Sequence, residues 1–232
     1  MLDIVSSLKK NPKAQVDTVS SGNSRSRILD AALSLIVRRG GADVTMREIA
    51  KAAGVSRQAV YLHFADRAEL LVSVARHADE KRGLAAEIRK IVEAPSAIDA
   101  LRETASLQAC TNPGIWAIAR AVDAVRRTDE AAERSWQDRL QHRLNGCTEV
   151  IARLRKEKVL RPGLPVSAAA DLLWSITSLR MWEDLVLQRG WTPGQYEERI
   201  TELLLSMLTT KGQPATRPSG LSFGVRIIDT IS

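Results

Sequence analysis

The sequence predicts an all-α protein, and three observations lead to this prediction. Between about residues 24 and 210, apolar residues recur at steps of three and four, the period of an amphipathic helix. Alanine, leucine, arginine and glutamate, which favour helices, are abundant there. The alternation of apolar and polar residues that is typical of half-buried strands is missing. We therefore expect an N-terminal unit of three short helices joined to a larger helical bundle.

The first two helices are predicted from their end signals. The first is expected to begin near Ser24, a good N-cap residue, and to stop at Gly40 and Gly41. Thr45 and Glu48 have the spacing of a capping box, so a second helix is expected to start there. The apolar faces of the two helices should pack together: Ile28, Ala31, Ala32, Leu35 and Ile36 in the first, and Ile49, Ala50 and Ala53 in the second.

A tight turn separates the second helix from a third. Ala50 is small enough to let two helices cross closely, and Gly54 tolerates the positive φ that such a turn requires. Ser56 can cap the third helix, and Asp66 with Glu69 repeats the capping pattern for a fourth. This order of signals is typical of a helix-turn-helix.

The third helix has the chemistry expected of a DNA-reading helix. In a helix-turn-helix the second helix of the pair enters the major groove, where arginine reads guanine and glutamine reads adenine. The chain carries 34 Lys and Arg against 27 Asp and Glu, a net charge of +7 that favours a polyanionic partner. Residues 25–76 hold nine of these cations and five of the acids, so this segment alone carries +4. The side chains that can donate hydrogen bonds are Ser56, Arg57, Gln58, Tyr61 and His63.

Four short motifs occur in order between Arg27 and Val74. They are the opening Ile28-Leu29-Asp30-Ala31-Ala32, the stretch from Thr45 to Gly54-Val55-Ser56, Tyr61 with His63-Phe64, and Glu69-Leu70-Leu71. With these motifs at these separations, the segment resembles the N-terminal DNA-binding domain of the tetracycline-repressor (TetR) family. Gln58 departs from the family pattern, which often has Gly or Pro there, and Asp66-Arg67 replaces a commoner Ser-Lys or Asn-Lys.

The resemblance implies roles for nine residues and double-stranded DNA as the partner. Solvated surface charge remains an alternative for the arginines, and simple packing remains one for Tyr61 and His63. The residues implied to contact bases are Thr45, Arg47, Arg57, Gln58 and Ala59, and those implied to contact phosphates are Ser56, Tyr61, His63 and Arg67.

Residues 77–210 are expected to form a helical effector-binding and dimerisation domain. The predicted breaks are Ala94-Pro95, Thr111 to Gly114, Arg127 to Asp129, Arg161 to Gly163 and Gly190 to Pro193. The segment 167–189 is apolar in nearly every direction, so it should be buried by its own core on one side and by a second copy on the other. In the resembled family the last two helices pair subunits in this way. The predicted homodimer contacts are Leu172, Ile176, Leu179, Trp182, Leu203, Leu204 and Met207.

All five tryptophans lie in this second domain. They either pack in the core or line a pocket for a small apolar or cationic effector, and the sequence leaves both interpretations open. The candidate pocket residues are Trp116, Trp136 and Trp174.

The two ends of the chain lack helical periodicity. Residues 1–23 are expected to be a flexible arm, in which Lys9, Lys10 and Lys13 form either a basic arm or a solvated tail, and residues 211–232 a tail. No export signal and no apolar stretch of membrane-spanning length is present, which favours a cytoplasmic protein without a membrane partner. Two cysteines and three histidines without ligand-like spacing predict no disulfide, no metal and no cofactor.

The leading hypothesis is a DNA-binding transcriptional regulator. The resemblance favours a homodimeric repressor of a near-palindromic operator, released by a small molecule. A regulator without a small-molecule effector is the main alternative. A helical enzyme is disfavoured because the sequence has no phosphate-binding glycine loop, His-Glu-x-x-His or Gly-x-Ser-x-Gly motif.

Overall fold

The structure, a computed structural model, describes residues 12–41 and 43–210, with side chains from residue 23 onward. Across these residues the fold is helical and contains no strand, apart from one isolated bridge between Leu160 and Thr209, so the all-α prediction is confirmed. The helices are α1 (Pro12–Arg38), α2 (Met46–Ala53), α3 (Arg57–His63), α4 (Arg67–Lys81), α5 (Leu84–Glu93), α6 (Ala97–Arg126), α7 (Glu130–Lys156), α8 (Val166–Ile176), α9 (Leu179–Trp182) and α10 (Pro193–Leu208). A π-helical turn, Glu183–Gln188, follows α9.

Helix α1 begins earlier than the sequence predicts. It starts at Pro12 rather than near Ser24, so the expected flexible arm is wrong for residues 12–23. Once the packed part of α1 has nucleated the helix, each added residue gains one backbone hydrogen bond, and this can outweigh weak helix formers. Lys9, Lys10 and the predicted tail 211–232 lie outside the described residues.

The molecule has two hydrophobic cores that share one helix. The first core joins α1–α4 to the C-terminal half of α6, through Ile118 and Val122 among others. The second core is built from α5–α10 and includes the N-terminal half of α6. Trp116, midway along α6, packs against both cores. A movement of α6 would therefore change the packing of both the N-terminal unit and the larger bundle.

The predicted break at residues 111–114 is wrong, because α6 runs through Pro113 as one helix of 30 residues. Packing on both cores holds the helix together although proline lacks a donor. The neighbouring Gly114 lies directly under the guanidinium group of Arg82, where a Cβ atom would clash with the Arg82 Cζ. The chain breaks instead at Gly83, between α4 and α5, with φ 66°.

Residues 167–189 do not form one continuous helix. Helix α8 ends at Ile176, and the Ser178 hydroxyl starts α9 by accepting from the Met181 amide at 3.1 Å. The Arg143 side chain holds the break by donating to the backbone oxygens of Thr177 at 3.0 Å and Trp174 at 2.6 Å. Hydrogen bonds from Arg143 of α7 thus stabilise a break in a segment whose apolar pattern is continuous.

Among the described residues, none of the helices is both long enough and apolar enough to span a bilayer.

Candidate nucleic-acid interface

The capping box at Thr45 forms as predicted and fixes the start of α2. The Thr45 hydroxyl accepts from the Glu48 amide at 3.3 Å, while the Glu48 carboxylate accepts from the Thr45 amide at 2.9 Å. Ile49, Ala50 and Ala53 are buried on the inner face of the helix. The cap therefore sets the register in which Arg47 faces outward.

Gly54 ends α2 in the left-handed conformation, with φ 64°. Its amide donates to Lys51 O at 3.3 Å and the Val55 amide donates to Ala50 O at 3.0 Å, so the last carbonyls of α2 have partners. Val55 packs half-buried against the first core. The predicted helix-turn-helix geometry is thus present.

Arg27 on α1 binds the backbone carbonyls of this turn. Its Nη2 donates to Ala53 O at 2.6 Å and to Gly54 O at 3.1 Å. A cation is well suited to this place because the carbonyl end of a helix carries partial negative charge. From the sequence, Arg27 is only one of the cations of this segment, and its spacing gives no sign of this contact, which joins residues 26 positions apart.

Helix α3 follows at once and presents its polar face. The Ser56 hydroxyl caps it by accepting from the Ala59 amide at 3.0 Å. Val60 is buried on the inner side, and Phe64 behind the helix is buried too. The outward positions of this seven-residue helix therefore include Arg57 and Gln58, both exposed.

An open groove of about 850 Å³ lies between α2, α3 and the start of α4. Its two acids are ion-paired: Asp43 with Arg67 at 2.7 Å and Glu48 with Arg39 at 2.6 Å. The cations Arg47, Lys51 and Arg57 also line the groove, and among the described residues none of them has an acidic partner. The groove is therefore electropositive, as a phosphate-binding surface must be.

The Glu48 carboxylate shows how firmly the groove acids are neutralised. The Arg39 guanidinium, together with the amide and hydroxyl of Thr45, lowers the pKa of Glu48 to about 2. Glu48 therefore stays ionised and paired at neutral pH. Its charge stabilises α2 and is not free to repel DNA.

The five residues predicted to contact bases differ in how free they are. Arg47 and Gln58 are exposed, and neither has a hydrogen-bond partner among the residues that the structure describes. Arg57 lies 5.5 Å from the Tyr61 ring centre and donates to its hydroxyl at 3.4 Å. Thr45 is engaged in the cap, and Ala59 is half-buried.

The residues predicted to contact phosphates are also spread over different environments. Ser56 is engaged in its cap, Tyr61 is 43% exposed beside Arg57, and His63 is half-buried with its ring tilted 56° to that of Phe64. Arg67 donates to Asp43 and to Val44 O at 3.2 Å, so it ties α4 to the loop before α2.

Comparisons with known proteins identify this region. The family model described as bacterial regulatory proteins, tetR family, matches residues 28–74. Residues 28–74 therefore match the DNA-binding domain of the TetR family. The chain is 43% identical to the HTH-type transcriptional regulator SrpR of Pseudomonas putida over 61 residues, which is 26% of this chain and 29% of SrpR. The match thus covers less than a third of that relative.

Two further matches extend beyond the N-terminal unit. An HTH-type transcriptional repressor of Mycobacterium tuberculosis is 27% identical over 183 residues, covering 76% of this chain and 83% of the repressor. A transcriptional regulator from Saccharomonospora viridis, solved in complex with choline, has a TM-score of 0.70 at 19% identity, covering 81% of this chain and 98% of that one. This second likeness shows that the two proteins share a fold.

The residues predicted to form a dimer interface do not all face outward. Trp182 and Leu204 are buried inside the protomer, so their assignment to the interface is wrong. Leu204 lies on the buried face of α10, which packs against α6. Of the remaining candidates, Leu172 and Leu203 are exposed, whereas Ile176, Leu179 and Met207 pack half-buried on the second core.

The three candidate pocket tryptophans lie in different surroundings. Trp136 lines a cavity of about 170 Å³ between α4, α6 and α7, whereas Trp116 and Trp174 are absent from its walls. Trp116 packs beneath Arg120 at 5.0 Å, and Trp174 packs beneath Arg143 at 4.7 Å. Both have packing roles, which sequence analysis left open as the alternative.

The cavity has apolar walls and a charged rim. Ile115, Ile118 and Val122 of α6 form part of its wall, and its rim holds Arg76, Asp79 and Arg139. Asp79 accepts two bonds from Arg139, at 2.6 and 3.1 Å. Among the described residues, no group of three or more His, Cys, Asp or Glu is arranged to hold a metal ion.

Proposed function

We propose that this chain is a DNA-binding transcriptional regulator whose α3 enters the major groove. The observation that carries the proposal is the charge of the groove, where both acids are paired and three cations are left for phosphates or bases. Gln58 and Arg57 are the proposed base readers, for adenine and guanine respectively, with Arg47, Thr45 and Ala59 beside them.

Ser56, Tyr61 and His63 are the proposed phosphate contacts. The helix N-terminus at Ser56 adds backbone amides that favour an anion. Arg67 takes a different role in this proposal. Because its guanidinium is already held by Asp43 and Val44, it positions the loop before α2 and contributes less to phosphate binding.

We propose further that the active form is a homodimer paired through α8 and α10. Leu172 is 37% exposed and Leu203 is 42% exposed, so each helix offers an apolar residue to a second copy. Two copies related by a two-fold axis would present two α3 helices, which suits a near-palindromic operator. Replacing Leu172 and Leu203 together by Asp should give monomers in size-exclusion chromatography with light scattering.

Ile88 on α5 offers a matched control for that experiment, since it is 45% exposed. Ile88→Asp places the same charge on a similarly exposed apolar site and should leave the dimer intact. A Leu172→Asp/Leu203→Asp protein that stays dimeric at micromolar concentration would overturn the pairing through α8 and α10.

The proposed regulation is repression that a small molecule relieves. The M. tuberculosis relative is named a repressor, which supports repression as the direction of control. The S. viridis regulator was solved with choline, which supports a small molecule as the effector. The cavity beside Trp136 is the proposed effector site because α4, which forms one wall, also holds the loop before α2 through Arg67. An effector that fits one orientation of α4 better than another would shift the population of DNA-competent dimers.

The cavity rim favours an apolar effector over a cationic one. Two arginines and one aspartate surround the opening, and Asp79 is already paired with Arg139. One face of Trp136 is also occupied, because the Arg126 guanidinium lies 5.0 Å from its ring centre. A cation would therefore meet the net positive charge of two arginines and one aspartate.

One selection experiment tests the proposed function. Full-length protein is mixed with fragmented genomic DNA, bound fragments are sequenced, and each is assayed by gel shift at several salt concentrations. We expect a small set of related, near-palindromic fragments whose affinity falls steeply with salt. Bound fragments that share no sequence and are readily displaced by competitor DNA would contradict the proposal.

A thermal-shift screen of small apolar compounds distinguishes a regulator that a small molecule controls from the chief alternative, a regulator without a small-molecule effector. Compounds that occupy the cavity should raise the melting temperature of the wild type. They should raise it less in Ala119→Trp, in which a large side chain fills the cavity from α6. A screen in which no compound distinguishes the two proteins favours the alternative.

A further inference from the structure

Leu62 is the most exposed large apolar side chain in the part of the chain that the structure describes. It lies in the second turn of α3 with 79% of its surface exposed. Leaving a leucine in water forgoes the stabilisation that its burial would bring. In the same short helix Val60 is buried, so the helix has an inner face that Leu62 does not join.

The position of Leu62 places it beside a proposed base reader. Gln58 and Leu62 are four residues apart, so they share one face of α3. At a rise of about 1.5 Å per residue they are about 6 Å apart along the helix axis. Base pairs in B-DNA are stacked about 3.4 Å apart, so the two side chains span about two base pairs.

The chemistry of leucine restricts what it can recognise in a major groove. Leucine neither donates nor accepts a hydrogen bond, so it cannot read the donors and acceptors of guanine, cytosine or adenine. Thymine alone among the four bases presents a methyl group there, and apolar side chains contact it. Arg57 on the same helix and the electropositive groove beside it make DNA a better partner for this surface than an apolar protein face.

We propose that Leu62 reads the 5-methyl group of a thymine within two base pairs of the base that Gln58 contacts. The inference rests on the proposed function, in which α3 enters the major groove. It adds a specificity-determining residue that makes no hydrogen bond. Leu62 is not among the contacts predicted from the sequence, because its side chain is not a hydrogen-bond donor.

Deoxyuridine substitution tests the proposal directly, because it removes only the 5-methyl group of thymine. Each thymine of the selected operator is replaced in turn, symmetrically in both half-sites, and binding of full-length protein is measured by gel shift or fluorescence anisotropy. For wild type we expect one position per half-site at which deoxyuridine weakens binding about fourfold per half-site, the factor for one methyl-sized group. Leu62→Ala should bind the thymine and deoxyuridine operators equally at that position.

Two control variants keep the experiment decisive. Leu62→Met keeps an apolar side chain of similar size and should retain the preference for thymine. Val92→Ala removes an apolar side chain that is 67% exposed on α5, away from α3, and should bind both operators as wild type does.

The outcomes separate this inference from the proposed function. If Leu62→Ala weakens binding to thymine and deoxyuridine operators by the same factor, Leu62 contacts the sugar-phosphate backbone and the inference is wrong. If no thymine is sensitive in the wild type, the inference is wrong while the operator itself upholds the proposed function. If selection yields no specific operator, the proposed function fails and the Leu62 contact fails with it.

Discussion

The turn between α2 and α3 allows one stability prediction to be worked out closely, because the chain contains its own control. Gly54 and Gly83 have nearly the same backbone conformation, with φ 64° and 66°. A Cβ atom at Gly83 would meet nothing within 4 Å, whereas one at Gly54 would lie 3.3 Å from Arg27 Nη2. The two glycine-to-alanine variants therefore share the backbone strain and differ in the contact with Arg27.

The size of each effect follows from these distances. Alanine in the left-handed region costs about 1 kcal/mol, so Gly83→Ala should lower the free energy of unfolding by about that amount. At Gly54 the Arg27 Nη2 atom must also move by a few tenths of an ångström. That shift would lengthen its bond to Gly54 O, now 3.1 Å, to the edge of hydrogen-bonding range. We add about 1 kcal/mol for the weakened bond, so Gly54→Ala should lose about 2 kcal/mol.

Urea unfolding followed by circular dichroism measures both losses. In an Arg27→Met background the added cost should disappear, so Gly54→Ala should lose only about 1 kcal/mol there, as Gly83→Ala does in wild type. Equal losses for Gly54→Ala and Gly83→Ala in the wild-type background would refute the reasoning, because the contact with Arg27 would then contribute nothing.

Three further predictions concern the groove and the thiols. Arg47→Ala should flatten the plot of log affinity against log salt by about 0.9 if Arg47 contacts one phosphate, and an unchanged slope would remove it from the interface. The lowered pKa of Glu48 means that its pairing stabilises the folded state fully above about pH 4.5, and that this stabilisation is lost as the pH falls toward about 2. The free energy of unfolding of Glu48→Gln should therefore lie below that of wild type above about pH 4.5, and this difference should shrink as the pH falls toward about 2. Urea unfolding at several pH values measures the difference, and a difference that does not change with pH would contradict the assignment. Burial raises the pKa of Cys147 to about 11, so at pH 8 iodoacetamide should modify the exposed Cys110 alone in the native protein and both thiols after denaturation. Rapid native labelling of Cys147 would show that the second core is open.

Local signals in the sequence predicted local structure well. Thr45 with Glu48, Ser56, and Gly54 act through hydrogen bonds and backbone angles within a few residues, and the structure has each of them as expected. The start of α1 and the passage of α6 through Pro113 were mispredicted. In α6 a local break signal is outweighed by packing against residues distant in sequence.

Some features of the candidate site could likewise be predicted from the sequence, and others depend on tertiary contacts. Which residues line the outer face of α3 follows from helical period, and so does the net positive charge of the segment. Which cations lack an acidic partner cannot be read from the helical period. Arg39 pairs with Glu48 and Arg67 pairs with Asp43, and these partners are 9 and 24 positions apart in the chain. The resemblance implied a phosphate contact for Arg67, and its pair with Asp43, 24 positions away, could not be read from the sequence.

The sequence by itself determined the helical fold class, the helix-turn-helix and the resemblance of residues 28–74 to the TetR family, since these depend on period, caps and one left-handed glycine close together in the chain. Only the tertiary structure decided that Arg27 binds the carbonyls of the turn, that Trp182 and Leu204 lie inside the protomer, and that Trp136, but neither Trp116 nor Trp174, lines the cavity between α4, α6 and α7. The physical reason is that a helical pattern gives the direction of a side chain around its own axis. What that side chain meets depends on how the helices pack.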